Sequence, residues 1–303
     1  MTKSRTFFLI TIVAIVFWIT RTPEIKTKKV DRPQEPRLET PLLKKKPRSQ
    51  TPLPQPLPPT VAPPQVSSTK QAPHTAPPNS VPFELINGLV ISHGDILIGK
   101  PTTEDFPQAG FVQEPDLQLW PTPQIPYSID PNLPNPDRVL RAIQYFNENS
   151  PVQFVPFNGE KDSLVFAPGQ ELCLSYLGKI GGAQPIYLDD RCAENEIRHE
   201  IMHALGFIHE QSRPDRDQFV QVNWDNIEDE RQGQFFTIAE KPTSPLKNRP
   251  FDYNSVMIYS PTLFTKDRSK PNMISKTGKS IEPTVNALSL EDLERLRALY
   301  PNP

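Results

Sequence analysis

Cysteine is scarce in this chain, glycine is missing from a long early stretch, and no apolar run is long enough to cross a membrane upright. Two cysteines in 303 residues exclude a metal centre closed by four thiolates. Between Thr22 and Pro82 there are sixteen prolines and no glycine, so that stretch cannot share one uniform globule with the rest. The apolar run Phe7 to Ile19, broken only by Thr11, has thirteen residues, short of the roughly 20 that span a bilayer. The body of the chain also lacks basic excess. Residues 1–80 carry 13 Lys and Arg against 4 Asp and Glu, which leaves 20 against 31 for residues 81–303. The net charge of −2 therefore conceals a basic tail on an acidic body, and an acidic body excludes nucleic acid as the main partner.

Lys3 and Arg5 ahead of the thirteen-residue run give it the form of a secretory signal. No small-x-small cleavage site follows at Thr20 to Pro23, so residues 1–21 read as either a cleaved signal peptide or an uncleaved signal anchor. The basic residues Arg21, Lys26, Lys28, Lys29 and Arg32 behind the run oppose export, because positive flanks favour the cytoplasmic side. Residues 22–82 read as a disordered, basic, Pro-rich linker. Proline lacks the N–H and fixes φ, which disfavours helix and sheet and favours polyproline II. Fully extended, such a spacer reaches on the order of 190 Å. The PxxP-like spacing in Pro52 to Pro59, beside Lys44 to Lys46, also fits a docking ligand.

Beyond Phe111 the pattern is α+β. Ile125 to Asp130 reads as a strand, followed by a helix with Asn135 as N-cap, Pro136 at its first position and an apolar face of Val139, Leu140, Ile143 and Phe146. Val152 to Phe157, Leu164 to Phe166, Leu172 to Tyr176 and Ile186 to Leu188 read as short strands. A helix from about Ala193 to Leu205 ends at Gly206. A last one, capped by Ser289 with Asp292 in a capping box, runs through Leu293, Leu296 and Leu299.

Three of the five histidines fall within eleven residues, in the string HEIMHALGFIHEQSRPDRD. His199 and His203 lie four apart, so on a helix both imidazoles leave one face at the separation one zinc ion needs. Gly206 can take the positive φ that ends the helix and returns the chain, bringing His209 back as a third nitrogen ligand. Three neutral ligands leave a fourth position for water, the arrangement of a catalytic zinc site. Glu200 stands beside the ligands as a candidate proton carrier.

This string, with SYLGKIGGAQPIYL before it and VNWDNI, FDYNSVMIY and LSLEDLERLRALY after it, resembles the astacin family of metzincin zinc endopeptidases over residues 111–303. The resemblance implies a twisted mixed sheet with an active-site helix and a C-terminal helix. It implies that His199, His203 and His209 bind one Zn²⁺, that Glu200 is the general base, that Met257 forms the Met-turn beneath the metal, and that Tyr259 serves the oxyanion. It further implies a Cys173–Cys192 disulfide, which suits an oxidising compartment and hence a place outside the cytoplasm, secreted or tethered. Polypeptides are the expected substrates, read through their backbone by an edge strand at Glu171 to Tyr176. A monomer is expected, touching membrane only through an uncleaved N-terminal segment. Ile258 stands where the family usually has His, and the family's other two cysteines are absent.

The string VISHGDILIGK at residues 90–100 resembles the family's F-x-G-D propeptide motif, with Ser92 in the Phe slot. By that resemblance residues 83–110 form a short propeptide, Asp95 takes the fourth metal position in a latent form, and Asp95→Ala activates the uncut chain. The mature chain would start near Phe111, its freed amine pairing with Glu210. No Lys or Arg occurs between Lys100 and Arg138, so a trypsin-like enzyme cannot make that cut. Activation needs another specificity, self-cleavage, or a cut at Lys100 followed by trimming.

Overall fold

The structure is a computed structural model that describes residues 77, 79–100, 110–239, 244–246 and 248–301. The signal segment, the linker up to residue 76 and the stretch 101–109, where an activating cut is expected, lie outside the described residues. Among the described residues no helix is long and apolar enough to cross a membrane.

An eight-stranded mixed sheet forms the frame. Strands β2 (Glu84–Ile86), β3 (Leu89–Ser92) and β4 (Ile96–Gly99) come from the expected propeptide, after a short β1 (Ser80–Pro82). Strands β6 (Gln124–Ile129), β7 (Gln153–Pro156), β8 (Ser163–Pro168), β9 (Cys173–Tyr176) and β10 (Ala183–Leu188) follow β5 (Phe111–Gln113). Their spatial order is β2-β3-β4-β9-β10-β8-β6-β7. β10, β8, β6 and β7 are mutually parallel where they pair, whereas β9 runs antiparallel to β10. β4 lies on the other side of β9, parallel to it, with Ile96 opposite Ser175 and Leu97 opposite Tyr176. β1 pairs antiparallel with β5, so the end of the expected linker is ordered strand rather than coil. Pro82 is tolerated because it ends a two-stranded ribbon.

Helix α1 (Asp137–Asn149) sits between β6 and β7, and α2 (Glu194–Ala204) follows β10. α1 begins one residue later than its sequence suggests: Pro136 is the cap, without a side-chain bond, and Asn135 adopts φ 48°. An asparagine tolerates that left-handed turn, which is why it stands there without capping. The buried face of α1 is Val139, Ala142, Ile143 and Phe146, whereas Leu140 is 44% exposed. Those side chains join Ile197, Ile201 and Met202 of α2 with Ile125, Leu164, Phe166, Ile186 and Leu188 of the sheet in one core. Apart from Ala142, each such fully buried side chain stabilises by about 1.5–3 kcal/mol relative to exposure.

After α2 the chain becomes irregular. The short pair β11 (Val220–Val222) and β12 (Met273–Ser275) anchors a second apolar cluster of Phe235, Phe251, Tyr253, Ile258 and Tyr259. Helix α3 (Leu290–Leu299) closes the fold, and the expected capping box is present at Ser289 and Asp292. A cleft of ≈ 760 Å³ separates the sheet and α2 from the second cluster.

Candidate metal centre

Helix α2 supplies two of the imidazoles. Its end is fixed by bonds to carbonyls that the helix itself leaves free: His203 O accepts from the N–H groups of Gly178 and Gly206, both at 2.8 Å, and Ala204 O accepts from Trp120 Nε1 at 2.9 Å. Gly206 then takes φ 101°, and a Cβ there would stand 2.6 Å from a Leu119 methyl. Only glycine suits this turn, and the turn brings His209 to the face carrying His199 and His203.

The three imidazoles converge with Asp95, and their nearest ligand atoms all lie within 4.8 Å of one another. Asp95 Oδ2 is 3.3 Å from Nε2 of His199 and of His209, and Oδ1 is 3.2 Å from Nε2 of His203. The outward nitrogens decide the tautomers. His199 Nδ1 faces Val256 O at 2.8 Å and His203 Nδ1 faces Phe207 O at 2.7 Å. A carbonyl only accepts, so both Nδ1 atoms carry the proton and both Nε2 atoms turn a lone pair inward. Nε2 of His199 and His209 stand 3.0 Å apart, and Asp95 Oδ1, His203 Nε2 and Glu200 Oε2 are buried with no hydrogen-bond partner. Inward lone pairs, a carboxylate and orphaned polar atoms fit a divalent cation of zinc's ligand preference, for which imidazole nitrogens at about 2.0–2.1 Å are usual.

Burial opposes ionisation of Asp95, yet the charges of His209 and His203 outweigh it and hold the carboxyl well below the usual range. Glu200 lines the cleft and is pushed well above the usual range by burial and then by Asp95. Tyr259 is pushed up by burial and by the same two carboxylates. Its hydroxyl donates to His93 O at 2.8 Å, lies 3.2 Å from Gln234 Oε1, and its ring packs 4.7 Å from that of His209. Gly94, at φ 94°, lets the backbone on either side of Asp95 pass, since a Cβ would meet Gln234 Oε1 at 2.6 Å and the Tyr259 hydroxyl at 2.9 Å.

Met257 is buried in a turn held by α3: Asp292 accepts from Ser255 Oγ at 2.6 Å and from Val256 N–H at 2.9 Å. Ile258 packs wholly into the second apolar cluster, where no hydrogen bond is called for. Glu210 is buried and held by Arg295 and Arg213. Cys173 and Cys192 are joined in a disulfide that ties the start of β9 to the entry of α2. Sequence reasoning missed His93, Gln211, Gln234 and Arg295. Gln211, whose Oε1 accepts from Tyr259 N–H at 3.1 Å, lies inside the histidine string and was within reach. The others are single residues whose partners are remote in sequence.

Comparison with known proteins agrees with the geometry. The family model for the astacin peptidases matches residues 112–301. A zinc metalloproteinase of Caenorhabditis elegans, nas-13, is 37% identical over 189 residues, covering 61% of this chain and 41% of that relative. The astacin-like metalloprotease toxin 1 of Loxosceles intermedia is 32% identical over 231 residues, covering 72% of this chain and 84% of the toxin. The solved structure of a hatching-enzyme zinc protease from the medaka fish, Oryzias latipes, superposes with a TM-score of 0.54 at 28% identity, over 61% of this chain and 93% of that one. The chain spans 33% to 49% of the length of the first curated relatives it matches. Astacin peptidases use one zinc ion, for which the cluster of His199, His203 and His209 is suited. The chain belongs to the astacin family.

Proposed function

We propose that the chain is a zinc endopeptidase of extended polypeptides, made as a latent zymogen and acting outside the cytoplasm, secreted or tethered by its N-terminal segment. The observation that carries this reading is the convergence of the three imidazole Nε2 atoms beside buried Glu200, whose Oε2 has no hydrogen-bond partner. His199, His203 and His209 would hold the zinc, which supplies a water of lowered pKa and polarises the scissile carbonyl. Glu200 takes the water proton and passes it to the leaving amine. Tyr259 donates a hydrogen bond to the oxyanion, and β9 pairs with the substrate backbone.

Latency follows from three contacts of the propeptide. Asp95 faces all three imidazoles, His93 O occupies the Tyr259 hydroxyl, and β4 fills the side of β9 that a substrate strand would use. Because the last two survive loss of the carboxylate, Asp95→Ala in the uncut chain should open the metal without freeing the edge. That variant should cleave short peptides better than long polypeptides. The disulfide supports an oxidising compartment. The decisive experiment is cleavage of an unfolded protein by the purified, cut chain, with chelator sensitivity and new termini identified. Zinc binding without any cleavage would favour a catalytically silent peptide-binding module instead.

A further inference from the structure

Asp292 has no exposed surface, and near the start of α3 it already caps that helix with Ser289. Its carboxylate also reaches into the Met257 turn. Oδ1 accepts from Ser255 Oγ at 2.6 Å, and Oδ2 accepts from Val256 N–H at 2.9 Å and from Ser289 N–H at 3.1 Å. Burial pushes the carboxyl up, while these donors and the Arg295 guanidinium, 3.8 Å from Oδ1, favour its anion. Ser255 Oγ has one proton, which it gives to Asp292, and with a lone pair it accepts from Met257 N–H at 3.0 Å. That N–H belongs to the same peptide group as Val256 O, which accepts from His199 Nδ1 at 2.8 Å. Imidazole, peptide, hydroxyl and carboxylate thus form one line in which every proton is donated toward Asp292.

We propose that Asp292 and Ser255 are positioning residues of the metal site, acting through the Val256–Met257 peptide to orient His199 and make its Nε2 a stronger ligand. The anion makes Ser255 Oγ a better acceptor for Met257 N–H. Density drawn onto that nitrogen passes by peptide resonance to Val256 O, which then pulls harder on the His199 Nδ1 proton. Bonds in such a line strengthen one another by about 10–30% each. A partner on the outer nitrogen fixes the ring and raises the basicity of the inner one. His199 is the imidazole that packing fixes least, with 14% of its side chain exposed against none for His203 and His209. The other two are held differently: His203 Nδ1 donates to Phe207 O at 2.7 Å, and His209 Nδ1 is buried without a hydrogen-bond partner. The proposal rests on the zinc reading, and because every bond in the line lies between His199 and Asp292 it is tested on the uncut chain.

Zinc affinity is read by chelator competition, and the Nδ1 protons of His199 and His203 by NMR of the zinc-loaded chain labelled with ¹⁵N at histidine. Asp292→Asn and Ser255→Ala should each weaken zinc binding about tenfold, the lower end of what partners of metal ligands cost. Both should move the His199 proton upfield and leave that of His203 in place. Ser289→Ala removes the helix cap without touching the line, so it should lower the melting temperature and keep zinc affinity within about twofold. Zinc affinity unchanged in Asp292→Asn and Ser255→Ala, equal movement of both protons, or a loss of affinity in Ser289→Ala as large as in Asp292→Asn overturns the proposal. Where a variant does not fold, the unmutated chain decides. The line places the His199 proton downfield of the His203 proton although its bond is the longer, and the reverse order overturns it. An unmutated chain that takes up no zinc sinks the zinc reading and this proposal together, whereas full uptake unaltered in the variants sinks this proposal alone.

Discussion

Glu200 and Tyr259 line one cleft yet are asked for different things, and their variants should separate accordingly. Glu200→Gln is expected to keep zinc at full stoichiometry in the cut chain while turnover falls by about 10²–10⁴, the scale of general acid–base catalysis. Metal analysis with a peptide assay checks it, and normal turnover would remove Glu200 from proton transfer. Tyr259→Phe should lower kcat by about 10²-fold, the scale of one oxyanion donor. A change confined to KM would make the phenol a pocket wall. His93 carries a pH dependence of the latent state. Burial first, then the charge of His209, lowers it from 6.5 to about 3. The unfolded chain takes this proton below pH 6.5 and the folded chain refuses it until about 3, so latent-state stability should fall as pH drops across that window. His93→Asn, which tolerates the φ of 51°, should flatten the slope of melting temperature between about pH 7 and 4. At this scale the metal ligands were legible, because three histidines in eleven residues leave few alternatives. His93 was not, since its Nε2 meets Phe236 O, 143 residues away, and nothing local marks that meeting.

Among the elements, α2 was legible from helix period and the stop at Gly206, and α3 from helix period and its Ser289–Asp292 capping box. Asp292 shows where such reading ends. As a capping residue it was visible, but the same carboxylate also holds the Met257 turn, and no local pattern reports a second partner. Strands β1 to β4 were illegible for another reason. Each is three or four residues long, too short to show a period: β1 and β4 pair with β5 and β9 from later in the chain, whereas β2 and β3 form a hairpin across Asn87-Gly88. β9 depends on the disulfide at its first residue. Cys192→Ser closes no loop across the 19-residue separation and should cost about 3 kcal/mol, read by urea unfolding. Loss of substrate affinity beyond loss of stability would show that the bond also holds β9 against the cleft.

For the whole molecule, the change from Pro-rich to mixed sequence was readable from composition, whereas the way the segment 79–100 clasps the sheet was not. Its strand β1 pairs with β5, and its strand β4 with β9, so residues on both sides of the expected cut are joined by backbone hydrogen bonds as well as by the chain. Cutting removes only the covalent link. Before the cut, the propeptide meets its site at an effective concentration in the millimolar range typical of short connections. Afterwards it competes at its true concentration, as an ordinary ligand would. Specific activity of freshly cut material should therefore rise on dilution and fall again when synthetic peptide 79–100 is added back, whereas activity strictly proportional to enzyme at all dilutions would mean that the clasp fails with the bond. On this view proteolysis permits activation, and the volume into which the enzyme escapes completes it.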